Sequence, residues 1–301
     1  MIKNCAKRKL IITTFALLIF LITLTFPKTE EEIKNVTITY MKANKAPIYI
    51  LNQDDLVIRT DISINGDDVI SKAKEMIEIL TINNAKSAYI PNLFKPIIPK
   101  NTKVLSIDIQ DKTLKINFSK DFLNIDKDYS EKMIESLVYS LTELDGIEGV
   151  IIYVENKILE TIPNTNEKLP PLLTRDIGIN KVYDLSNLKD VSKTTTYYIA
   201  KENNTSYYIP VTLLENNEKD KVEIIIERLK TNPSIKTNLI SYLSANTELT
   251  NYELLENEIQ LSFSPLLYEG LASKDLEEEV KYSISLSLKD TLNIENVTFI
   301  E

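Results

Sequence analysis

The feature that most constrains this chain is an internal echo. Displaced by 145 residues, from Asn101 to Asn246, the stretch "NTKVLSIDIQDKTLKINFSKDF" falls without a gap on "NTELTNYELLENEIQLSFSPLL". Thr102 meets Thr247, Phe118 meets Phe263 and Ser119 meets Ser264, while Leu114 and Ile116 meet Ile259 and Leu261. Each stretch alternates apolar and polar residues, breaks at Asp111-Lys112 or Glu256-Asn257, and alternates again. Strand side chains point to opposite faces with period two, so each stretch predicts a β-hairpin with one apolar face. In the first copy Leu105, Ile107, Ile109, Leu114, Ile116 and Phe118 mark the buried face; Ser106, Asp108, Lys115 and Asn117 mark the wet one. One-sided burial suits an antiparallel sheet covered by helices.

The repeat extends both ways. Upstream, "APIYILNQDDLVIRTDIS" reads as two strands around Asp54-Asp55, and Val69, Ala73, Ile77 and Leu80 then share one helix face. The second copy offers "TTYYIAKENNTSYYIPVTLLE" and then Val222, Ile225, Ile226 and Leu229. Downstream, Met133, Ile134, Leu137, Val138 and Leu141 recur at helical spacing, with Asp128 and Glu131 as a capping box and Gly146 as the stop. "GVIIYVE" closes the unit as a strand. The counterparts are Leu276, Val280, Ile284 and Leu288, then "ENVTFIE", with Ile147 and Val150 matching Ile294 and Val297. The predicted fold is α+β: two tandem β-β-α-β-β-α-β units over 45–160 and 181–301, helices on one face of a mainly antiparallel sheet. Pro163, Pro170 and Pro171 make 161–180 a stiff linker between them.

Before the repeats, residues 1–9 carry Lys3, Lys7, Arg8 and Lys9 and no acid, and Leu10 to Phe26 runs 17 residues without a charge. As a helix this run spans about 26 Å. It predicts an uncleaved signal anchor over 10–26, a basic cytoplasmic tail, a stalk over 27–44 containing Glu30-Glu31-Glu32, and an extracytoplasmic bulk held at the cell membrane by a single pass. Cys5 precedes the apolar run, so it is not a lipobox cysteine. Four of the 35 basic residues lie before Leu10, which leaves 31 against 44 acids and a formal charge of −13 over 27–301. That charge disfavours nucleic acid as a partner.

Histidine is absent and cysteine occurs once, which excludes the usual triads, thiolate metal clusters and intrachain disulfides. The five glycines form no phosphate loop. Carboxylates are what remains for chemistry, and each cluster has a structural explanation. Asp54-Asp55 sits at a turn, Asp67-Asp68 opens a helix, and Asp126, Asp128 and Glu131 resemble a calcium loop only without its glycine and terminal glutamate. No catalytic, cofactor-binding or metal-binding residue is assigned. Tyr197, Tyr198, Tyr207 and Tyr208 form adjacent pairs on two strands, so one tyrosine of each pair is free to face a protein or glycan. A cell-wall or polysaccharide-binding module, with peptidoglycan as the partner, and a hydrolase using paired carboxylates therefore stay open as alternatives.

The stretch "IPKNTKVLSIDIQDKTLKINFSKDF", the helix after it and "GIEGVIIYVE" resemble the sporulation and spore germination domain known as GerMN, over about 45–160 and again over 195–301. Asn101 and Asn246 stand where that family usually has glycine. Asparagine is the next-best residue for a left-handed backbone, so the turn is expected to survive. Such tandem domains look like relatives of the ring-building motifs of bacterial secretion systems. The resemblance implies a non-enzymatic envelope protein of sporulation or germination, an assembly or localisation factor whose partners are other envelope proteins.

Overall fold

The computed structural model describes residues 44–202, 205–231, 243, 245–264 and 274–300. The expected anchor over Leu10–Phe26, Cys5 and the acidic stalk lie outside the described residues, and none of the described helices is long and apolar enough to cross a membrane. The first copy runs β1 (Asn44–Leu51), β2 (Val57–Ile64), α1 (Val69–Leu80), β3 (Val104–Gln110), β4 (Thr113–Phe118), α2 (Lys127–Leu141) and β5 (Gly149–Val154), followed by a short β6 (Lys157–Ile158). After β7 (Val182–Asp184), the second copy runs β8 (Val191–Glu202), β9 (Thr205–Asn216), α3 (Lys221–Leu229), β10 (Leu249–Leu254), β11 (Glu258–Phe263), α4 (Lys274–Leu292) and β12 (Asn296–Ile300). The expected strand and helix order thus appears twice.

Local chemistry starts the elements. Asp68 caps α1, accepting from the Ser71 amide while the Ser71 hydroxyl accepts from the Asp68 amide. Asp126, rather than an Asp128–Glu131 box, caps α2 by accepting from the Asp128 amide at 3.0 Å. α2 ends at Leu141; Gly146, at φ +77°, sits in the next turn instead of at the helix stop. Asp111 and Lys112 both have positive φ, the type I′ geometry that matches strand twist, and Asn101 is left-handed at φ +67°. Most of the apolar faces expected of the helices are buried, namely Ala73, Ile77 and Leu80; Met133, Ile134, Leu137, Val138 and Leu141; Val222, Ile225, Ile226 and Leu229; Val280, Ile284 and Leu288, while Val69 and Leu276 in the first turns are half-buried.

Two expectations need correction. The strands of one copy do not make one sheet. β3, β4, β5 and β6 form one sheet and β10, β11 and β12 another, with the β4–β5 and β11–β12 pairs parallel. The hairpins β1–β2 and β8–β9 leave their own copies and join through Arg59 opposite Tyr208, with β7 alongside, in a sheet shared by both halves. The long helices α2 and α4 lie against the outer strand of each hairpin, β1 and β8. The second correction is Leu105. The β3–β4 register slips between Val104 and Ser106, a bulge that turns Leu105 outward, 48% exposed, while Leu114, Ile116 and Phe118 are fully buried. The equivalent slip falls between Leu249 and Asn251.

The free edge of each hairpin is closed by serines of the long helix. Ser140 accepts from the Tyr49 amide at 2.9 Å and Ser136 donates to the Tyr49 carbonyl at 2.6 Å. In the second copy Ser287 accepts from the Tyr197 amide at 2.9 Å and Ser283 donates to the Tyr197 carbonyl. These serines are buried, and each removes an orphan that would cost about 1–3 kcal/mol. Segment 161–180 is also more than a spacer. Leu173 and Ile179 are buried in it, and the Asn180 side chain accepts from the Val57 amide and donates to the carbonyls of Val57 and Pro210, filling the gap where β2 and β9 diverge.

Candidate functional site

The densest cluster of ionisable groups stands where the two copies meet, and its members are related by the repeat. Tyr49 and Tyr197 occupy the same place on β1 and β8; Glu143 and Asp290 follow α2 and close α4 respectively. The Tyr49 hydroxyl lies 2.9 Å from Glu143 Oε1, the Tyr197 hydroxyl 2.9 Å from Asp290 Oδ2, and the two hydroxyls 2.9 Å from each other. Arg175, from the segment between the copies, bridges the two acids at 2.7 Å and 3.5 Å. It also donates to Thr142 Oγ1 and the Tyr139 carbonyl, and lies against the rings of Tyr49 and Tyr139. Arg59 approaches Glu143 at 3.6 Å and stacks over Tyr282.

Counting protons orders the two acids. The chain Glu143–Tyr49–Tyr197–Asp290 contains three oxygen–oxygen contacts, each of which needs a proton, and two hydroxyls supply two. The third belongs to a carboxyl group. Burial pushes Asp290 above the usual aspartate range despite Arg175 and the Tyr197 hydroxyl, whereas Glu143, also raised by burial, is held below its usual range by Arg175 and Arg59. Asp290, whose side chain is 1% exposed, is therefore the acid more readily protonated, and Glu143 is the one that keeps its negative charge, between two arginines. Burial also raises the three tyrosines Tyr49, Tyr139 and Tyr197, which stay neutral donors. With Tyr49 and Tyr197 fully buried, this cluster ties the two halves together, and Glu143 and Arg175 are the members that reach towards solvent.

The carboxylates singled out in the sequence are dispersed. Asp55, at φ +59° in the β1–β2 turn, bonds Lys95 at 2.6 Å and Tyr129 at 3.1 Å, and the Lys95 bond lowers its pKa. Asp68 and Asp126 are helix caps. Glu131 pairs with Lys181 at 2.7 Å beside a cleft of about 270 Å³ lined also by Glu135, Asp176, Lys193 and Tyr183. There Glu135 is buried, pushed up by that burial, and already bound to Lys181 and the Asn180 amide. A second cleft of about 270 Å³, lined by Leu51, Ile82, Ile97, Ile125 and Tyr129, is mainly apolar. Among the described residues no three metal-ligating side chains stand together.

The tyrosine pairs do not present one member outward. Tyr197, Tyr198 and Tyr207 are buried, and Tyr208 is half-buried against Tyr282. Tyr207 packs edge-on to Phe94 of the other copy at 5.3 Å, and burial pushes Tyr198 up to about 12. Both faces of the β8–β9 hairpin are covered, one by α3 and α4 and the other by the first copy, so alternation there no longer separates dry from wet. Sequence reasoning missed Glu143, Arg175 and Asp290. A signal was present: Tyr49 and Tyr197, Ser140 and Ser287, Glu143 and Asp290 recur at displacements of 147–148, beyond the hairpin on which the repeat was first recognised.

Comparison with known proteins bears on the same architecture. The family described as "Germane: Sporulation and spore germination" matches residues 47–160 and 195–300, together more than half of the chain. The spore germination protein GerM of Bacillus subtilis (strain 168) is 26% identical over 259 residues, 83% of this chain and 69% of that protein. The solved structure of the tandem GerMN domains of the sporulation protein GerM from Bacillus subtilis superposes with a TM-score of 0.76 at 25% identity, over 85% of this chain and 90% of that one. With the match falling on both copies, the chain belongs to the Germane family of sporulation and spore germination proteins.

Proposed function

We propose that this protein is a non-enzymatic assembly or localisation module of the envelope in sporulation or germination, anchored in the membrane through Leu10 to Phe26 and engaging other envelope proteins through its paired GerMN-like units. The observation that carries this reading is the use of the buried charges. Glu143, Asp290 and Arg175, the groups best placed for acid–base work, are consumed in the contact between the copies. The similarity to tandem GerMN domains of a sporulation protein supplies the biological setting. A fused pair of α+β units offers a large solvent-facing surface, which suits docking. The test is a deletion strain with the tagged full chain restored. Defective sporulation or germination, with an envelope protein recovered on the tag, is expected; normal spores together with an empty tag would refute the proposal.

A further inference from the structure

β5 and β12 are the same strand in the two copies, and they differ at the outer edge. In the first copy the Val150 amide donates to the Leu173 carbonyl at 2.8 Å and the Leu173 amide donates back at 2.9 Å. The Leu159 amide donates to the Ile152 carbonyl, and β6 sets Lys157 and Ile158 opposite Val154 and Tyr153. Under this cover Val150 and Ile152 are fully buried. The corresponding residues in the second copy are Val297 and Phe299. β12 lies on β11 in the register in which β5 lies on β4, Glu258 opposite Asn296 as Thr113 is opposite Gly149. The main-chain groups of Asn296, Thr298 and Ile300 therefore face β11, and those of Val297 and Phe299 face outward. No strand among the described residues pairs with them, and both side chains remain half-buried.

Sheet edges are normally blunted by charge, proline or a bulge, because bare amides and carbonyls recruit other strands. β3 has the Leu105 bulge and Asp108, and β10 has the matching bulge and Glu253. β12 reads "NVTFI", with no charge, no proline and no slip of register. We propose that the outer edge of β12 is a docking strand, which accepts an extended segment of another envelope protein by β-addition. This rests on the interaction-module reading above and names its contact. The first copy's own cover shows what fits: leucines, Leu173 and half-buried Leu159, bond the edge directly, beside exposed Lys157 and Ile158. Exposed Glu295 and half-buried Glu258 at the start of the sheet favour a basic flank on the incoming segment, and they oppose pairing with a second copy of this acidic chain.

The probe is the peptide NKILET, copied from Asn156–Thr161, added to the full chain and followed by amide hydrogen exchange. In the free chain the Val297 and Phe299 amides are expected to exchange as open groups while those of Thr298 and Ile300 are protected. The peptide should slow Val297 and Phe299 severalfold and leave Val104–Gln110 and Leu249–Leu254 unchanged. Phe299→Pro removes an outward donor that the β11 ladder does not use, and should abolish the slowing at Val297. Because Phe299 also stacks on Phe263, the wild-type exchange pattern serves as the independent readout. Protection of both amides before peptide is added, no slowing with it, or equal slowing on β3 and β10 overturns the proposal; protection that grows with protein concentration alone makes the occupant a second copy and overturns it too. Capture of a partner undiminished by Phe299→Pro would remove this docking strand while leaving the module reading intact.

Discussion

Glu143 and Asp290 are equivalent by the repeat, yet the proton count predicts that neutralising them has unequal effects. Glu143→Gln leaves Arg175 and Arg59 without the carboxylate that lies 2.7 Å and 3.6 Å from them. Removing one partner of a buried pair costs about 3–5 kcal/mol. Glu143 and Arg175 are 16% and 25% exposed, which places the cost near the lower end, about 3 kcal/mol. For a protein of this size that is a fall of roughly 6–12 °C in Tm. Asp290→Asn replaces the more readily protonated acid by an amide whose oxygen can still accept from the Tyr197 hydroxyl, so its cost at pH 7 should stay within about 1 kcal/mol. Urea denaturation followed by circular dichroism measures both.

The pH dependence has opposite signs at the two positions. Glu143 has a depressed folded pKa, so its contribution is present above the unfolded value of about 4.3 and is lost as pH falls through the folded value. Asp290 has a raised folded pKa. Its contribution is complete below about 3.9 and is lost as pH rises through the folded value, so the cost of Asp290→Asn should shrink with rising pH. Equal costs for the two variants at pH 7, or a cost of Asp290→Asn that grows with pH, would refute this ordering of the two acids.

Further outcomes follow from the same geometry. Ser140→Ala and Ser287→Ala each strand a buried strand amide, of Tyr49 or Tyr197, and should cost a similar 1–3 kcal/mol, by the order of magnitude known for such orphans; costs below about 0.3 kcal/mol in urea titrations would show that the helices do not close these edges. Leu105→Thr, at the bulge, should change stability by no more than about 0.5 kcal/mol, whereas Leu114→Ala should cost about 2–5 kcal/mol; a large Leu105 effect would place that side chain inside. Gly66→Ala would set a Cβ 2.6 Å from the Lys72 backbone nitrogen and should lower Tm, since backbone cannot swing aside there; an unchanged Tm would contradict the close approach of β2 and α1.

Period-two and helical patterns were readable wherever an element faces water on one side. The hairpin turn at Asp111-Lys112, the buried row Leu114, Ile116 and Phe118, and the apolar faces of all four helices were legible for that reason. The patterns failed where surroundings differ from that simple case. Leu105 obeys the alternation on paper, but one extra residue in the strand reverses its side. The pairs at Tyr197 and Tyr207 alternate too, yet that hairpin is covered on both faces, so alternation carries no information about exposure. Which strands share a sheet was not legible, because it depends on a long-range pairing, Arg59 with Tyr208, that local pattern does not encode. Ser140 and Glu143 looked like ordinary polar residues of a helix and its end. Their partners Tyr49 and Arg175 are distant in sequence, so the displacement shared with Ser287 and Asp290 was the sole local trace of the contact.

The central claim is that the buried charges join two docking units and perform no reaction. It is tested most directly by a strain carrying the full chain with Glu143→Gln, Arg175→Met and Asp290→Asn together, in which the ionisable groups of all three residues are removed at once. Heat-resistant spore yield and germination, measured relative to the folded protein present, should equal those of the wild type. A triple variant that accumulates to wild-type level as folded protein yet supports neither would contradict the account and return these residues to chemistry.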